Sequence, residues 1–84
     1  MAIKRDPISE ILEEARQEAE HLTRYRSSDG SRIKLQLLCA LLGEIQIPVE
    51  RKAEVMETIG EIKIATSGII SRKFFELVIG KIKS

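Results

Sequence analysis

The sequence predicts an all-α fold, a small four-helix domain whose second helix is buried at the centre. Three observations predict it. Apolar side chains recur every three to four residues along most of the chain, the period of a helix with one buried face. Asp6-Pro7, Ser31, Pro48 and Ser71 stand where helices start. The chain has 84 residues, is 43% hydrophobic and has only Tyr25, Phe74 and Phe75 as aromatics. That is enough aliphatic material for one core, and too short a chain for two.

The first helix opens on Asp6, whose carboxylate caps free N–H groups, with Pro7 in the first helical position. Ile8, Ile11, Leu12, Ala15, Ala19 and Leu22 form one stripe, and the remainder is mostly Glu, Arg and Gln. Glu20 and Arg24 are a favourable pair one turn apart. Ala15 and Ala19 keep the stripe shallow, so another helix can approach closely. The cluster "RSSDGS" ends it. Residues 1–84 therefore read as one domain, with 1–26 an amphipathic helix suited to a dimerisation arm and 31–84 a compact helical core.

The second helix starts near Ser31. From Leu35 to Leu42 it is apolar almost all round, with Gln36 the exception. A helix of that kind is buried on several sides, hence its central place. The third starts after Pro48, with Val49, Ala53, Met56 and Ile59 as its stripe and Val55 beside them. Gly60 ends it, or it runs on through Ile62 to Ala65. The stretch "EIKIATSGIIS" is rich in β-branched residues around Ser67-Gly68, so a short hairpin at about 62–70 is the alternative. The last helix, from Ser71, groups Phe74, Phe75, Val78, Ile79 and Ile82 on one side, with Arg72, Lys73, Glu76 and Lys83 on the other. Leu35, Leu38, Leu42, Phe74 and Val78 are the predicted core.

Residues able to do bond chemistry are few. Cys39 lies between leucines in "LQLLCALL", the setting of a buried core thiol and not of a reactive thiolate. His21 shares a helix face with Glu14 and Glu18, but with one His and one Cys in the chain a three- or four-ligand metal centre is not expected. The many Glu residues alternate with Arg on an open face, which keeps carboxylates ordinary. No Gly-rich phosphate loop and no nucleophile elbow is present. The expectation is a non-enzymatic protein, with no catalytic residue, cofactor, metal or small-molecule substrate.

A single cysteine, no visible signal peptide, and "LLCALL" as the longest uncharged apolar run point to a reduced, cytoplasmic protein that does not span a membrane. Charged residues make up 32%, Asn is absent and Gln scarce, a profile of proteins from hot environments.

Two partner classes remain. The leading one is self-association as a homodimer, or docking to a protein partner, through Ile8, Leu12, Ala15 and Ala19. The alternative is DNA. Net charge is only +1, yet residues 62–84 carry five basic groups against one acid. "VERKAEVMETIG" and "SGIISRKFFELV" resemble, generically, the positioning and recognition helices of helix-turn-helix proteins, or of a winged helix if 62–70 is a hairpin. That resemblance implies a transcription regulator with Arg72 and Lys73 at the DNA and Arg26, Arg32 and Lys34 on phosphates.

Overall fold

Asp6 starts the first helix by the means its sequence suggests. One carboxylate oxygen accepts the Ser9 backbone N–H at 2.8 Å, the other accepts the Ser9 hydroxyl at 3.0 Å, and Pro7 takes the first helical position. The computed structural model describes residues 6–84, in which four α-helices follow one another: α1 (Pro7–Arg24), α2 (Asp29–Glu44), α3 (Val49–Ala65) and α4 (Arg72–Lys83). Ser28 caps α2 by accepting the Ser31 N–H, so α2 begins ahead of Ser31. Ser71 caps α4 in the same way through the Lys73 N–H.

The helices form a ring in which α1 touches α2 and α3, and α4 touches the same two. Cross-helix contacts fix the directions. Arg51 at the start of α3 reaches Asp6 and Ser9, and Arg16 reaches Thr58 and Glu61, so α1 and α3 run parallel. Glu18 meets Lys34 and His21 meets Ser31, so α2 runs back along α1. Gly43 and Glu44 lie against Val78 and Lys81, so α2 and α4 end together. The result is two parallel pairs, α1/α3 and α2/α4, in a flattened body of 38 × 34 × 17 Å.

Between them lies one aliphatic core. Leu22, Leu35, Leu42, Val55, Ile59 and Phe75 are fully buried in it, and every helix contributes. Fully burying side chains of this kind is worth about 1.5–3 kcal/mol each.

Several expectations need correction. No hairpin forms at 62–70. The chain stays helical through Ala65, because Ile62 and then Thr66 continue the buried line of Val55 and Ile59 at helical spacing. Thr66 is buried, with its hydroxyl donating to the Ile62 carbonyl at 2.8 Å. Gly60 is therefore interior to α3. The turn falls at Gly68, whose φ of 85° is a left-handed conformation that glycine adopts without strain. The predicted α3 stripe was rotated, since Val49 and Ala53 are exposed while Thr58 is buried and satisfied by Arg16 and the Glu54 carbonyl. Of the predicted core, Leu35, Leu42 and Val78 are buried, but Leu38 and Phe74 sit at its edge, and Phe75 takes the centre with Phe74 edge-on to it at 5.2 Å.

Candidate functional site

The stripe assigned to a dimer contact is already occupied. Ile8, Leu12, Ala15 and Ala19 are buried in the core of their own chain. The shallow alanines do admit a close neighbour, and that neighbour is α2 or α3 of the same molecule. Residues 7–24 thus act as a wall of the fold and not as an arm, and the four side chains are not available to a partner while the protein is folded.

The second helix is the reverse case. It buries Leu35, Cys39 and Leu42 on one face, so only part of the expectation of a helix buried on several sides holds. Ile33, Leu37 and Leu41, spaced four residues apart, form a ridge on the opposite face and are 50%, 66% and 44% exposed. On α4, Leu77 is 70% exposed. It lies one turn before Lys81, which pairs with Glu44 of α2, so Leu77 sits on the edge of α4 nearest α2. Four large aliphatic side chains therefore face solvent on the α2/α4 side. Scattered exposed leucines are ordinary, whereas apolar groups lined up along one helix and the edge beside it form a contiguous patch of the kind that docking surfaces use.

Charge divides along the same line. Helix α1 has five Glu against two Arg, and α3 four Glu against three basic groups. Helix α2 is balanced, and α4 has four basic groups against Glu76 alone. The α1/α3 pair is thus net −4 and the α2/α4 pair net +3. The acidic layer is also the better knitted: Arg16 bridges to Glu61 at 3.3 Å, and Arg51 binds Asp6 at 3.2 Å and Glu54 at 2.7 Å.

Of the residues picked for nucleic-acid contact, Arg32 is held by Asp29 and Gln36, and Lys34 by Glu18. Arg26, Arg72 and Lys73 are exposed and form no ion pair among the described residues. Arg26 lies beside the Gly68 turn, which leads into α4. Lys63, in the last turn of α3, joins this end of the molecule and is likewise without an ion pair among the described residues. It was not singled out in the sequence because it stands among β-branched residues in the ambiguous stretch. On α4 itself, Glu76, Leu77 and Gly80 share the exposed side with Arg72 and Lys73, so that side is mixed and not basic throughout.

Cys39 and His21 serve the fold. Burial pushes the Cys39 thiol up to about 12, so it stays protonated and unreactive at neutral pH. His21 Nδ1 shares a hydrogen bond of 2.6 Å with the Ser31 hydroxyl, which fastens α1 to the start of α2, and its ring lies at a tilt against Tyr25 at the end of α1, 4.7 Å away. Glu18, its neighbour on the helix, is taken by Lys34. Among the described residues no helix is long and apolar enough to cross a membrane.

Comparison with known protein families, characterised proteins and solved structures finds no match for this chain.

Proposed function

We propose that this protein is a non-enzymatic binding module that docks another polypeptide on the outer face of α2 and the neighbouring edge of α4. The observation that carries the reading is the ridge Ile33–Leu37–Leu41 with Leu77 beside it, exposed and lined up together, whereas the exposed Val49 and Ile64 stand at opposite ends of α3. The contact is expected to be weak and reversible. Four such side chains make a patch of a few hundred Å², on the order of the largest patch on a typical monomer and short of the roughly 800 Å² per partner of a standard stable interface.

Panning a displayed library of amphipathic helical peptides against the protein tests this, with the Leu37→Glu variant as counter-screen. Enriched clones should lose binding to the variant. Clones that bind both forms alike would remove the α2 face from the account.

A second reading, DNA binding, is favoured by one observation: Arg26, Lys63, Arg72 and Lys73 gather where α3 ends and α4 begins, without ion pairs among the described residues. Glu76 and Leu77 on the exposed side of α4 argue against base reading, so any contact would be to phosphates. Such contacts give an affinity that falls steeply with salt, with a log–log slope near −0.9 per neutralised phosphate. An anisotropy titration with a random duplex at two salt concentrations decides it, and absence of binding at low salt ends this reading.

A further inference from the structure

Resting on the second reading above, we infer that the nucleic acid taken at this end of the molecule is single-stranded, with a base stacked on Tyr25 and its phosphates on Arg26 and the start of α4. The tyrosine ring carries the inference. Of the three aromatic side chains, Phe74 and Phe75 belong to the core and Tyr25 is exposed, at 60%. It closes the C-terminal end of α1, and its hydroxyl makes no hydrogen bond among the described residues. The ring is braced by the His21 imidazole, 4.7 Å away at a tilt of 38°, and His21 is itself held by Ser31. Gln17, Glu20 and Arg24 complete a shallow hollow of about 220 Å³ beside the two rings, and Glu20 is engaged there by Arg24 at 3.0 Å. An exposed aromatic ring next to free cations is the platform on which an unpaired base stacks.

The cations used are the ones that no acid holds. Arg26 follows Tyr25 directly and lies over Gly68, where the chain turns toward α4. Arg26, Lys63, Arg72 and Lys73 form no ion pair among the described residues, whereas Arg24 and Arg32 are engaged by Glu20 and Asp29. Glu76, one turn along α4, offsets one of the four and leaves three in excess. A duplex cannot use the ring, because its bases already stack on one another and hide their faces. It also cannot take α4 into a groove on the side that carries Glu76 and Leu77. A single strand offers base faces and phosphates together, so Tyr25 adds a contact that the phosphates alone do not provide. Every base has such a face, and binding is therefore expected to tolerate sequence.

The chain has one Tyr and no Trp, so the intrinsic emission of the full protein reports this site without a label. A single-stranded oligothymidylate of about 12 nucleotides, within the span of one small binding domain, should quench that emission and saturate. Its affinity should fall steeply as salt rises. The same strand annealed to its complement keeps the phosphates but has no base free to stack, and should bind at least about tenfold more weakly. With a labelled strand followed by anisotropy, Tyr25→Ala should weaken single-strand binding at least about fivefold, the low end for one stacked base. It should leave duplex binding unchanged, and Tyr25→Phe should restore the single-strand affinity. If Tyr25→Ala has no effect on the strand, or strand and duplex bind alike, the inference is overturned and the phosphate reading stands. Thymidine monophosphate binding as tightly as the strand would make the ligand a free nucleotide and overturn it as well. If neither strand nor duplex binds at low salt, the inference and the DNA reading fall together.

Discussion

The two halves of this molecule use similar helices in opposite ways. Helix α1 is strongly amphipathic. Its apolar stripe is spent entirely inward, and its outer face is glutamate and arginine tied across to α3. Helix α2 has apolar residues to spare. One set closes the core and the other, Ile33, Leu37 and Leu41, is left in water. The difference teaches how to read an excess of hydrophobicity. A helix with one apolar stripe needs one neighbour. A helix apolar nearly all round, in a fold with only two neighbours to offer it, has a face left over. In an 84-residue ring of four helices no element can be surrounded, so the surplus on α2 appears at the surface.

The sharpest way to break the comparison is to place the same charge on each helix. Ala15 is completely buried on α1, and Leu37 is two-thirds exposed on α2. Ala15→Glu inserts a carboxylate into the core with no cation to meet it, and should cost at least about 3 kcal/mol, the scale of an uncompensated buried charge. Much of a small domain's total stability is of that size. Leu37→Glu should change stability by no more than about 0.5 kcal/mol, as for ordinary surface sites. Urea unfolding followed by circular dichroism reads both. If Ala15→Glu instead left a folded monomer with unchanged stability, α1 would not be the wall described above and the earlier picture of a dimerisation arm would return. If Leu37→Glu unfolded the chain, the ridge would be structural and the docking surface lost.

Much of this arrangement was legible in the sequence. All four helices, the Asp6 cap, the buried Cys39 and the aliphatic core follow from periodicity and local chemistry. What was not legible depended on where the neighbours lie. The periodicity of α1 gives its stripe but not whether that stripe meets its own chain or another. Leu37 and Leu41 were visible as apolar within the run from Leu35 to Leu42, yet burial was assumed there where only a count of neighbours could decide. The stretch 62–70 was ambiguous because β-branched Ile62, Ile64 and Thr66 suit a strand locally. Tertiary packing decided for helix, since Ile62 and Thr66 face the core at helical spacing while Ile64 points to solvent. Lys63 gains interest only once the turn at Gly68 brings α4 and Arg26 to the same end.

A smaller effect sharpens the comparison from the other side, by asking whether the charged seam of the acidic layer contributes or merely decorates it. Asp6 is where α1 and α3 begin together. Its carboxyl is held below the usual carboxylate range, first by the Ser9 backbone N–H and then by the Ser9 hydroxyl and the Arg51 guanidinium. A carboxyl depressed in the folded state stabilises the protein above its unfolded value, about 3.9 for Asp, and that contribution is lost as pH falls through the folded value. Asp6→Asn keeps a side-chain oxygen to cap α1 but removes the charge. Wild type should therefore unfold at a higher urea midpoint than Asp6→Asn at neutral pH. The gap should hold down to about pH 5 and close as the solution is taken below the unfolded value, where the wild-type carboxyl becomes neutral as well. Because Asp6 is exposed, the gap should be far smaller than the loss from Ala15→Glu. A gap that stays the same at acid and neutral pH would mean that the charge of Asp6 does nothing at this seam. The contrast between the closed and open faces would then rest on apolar packing alone.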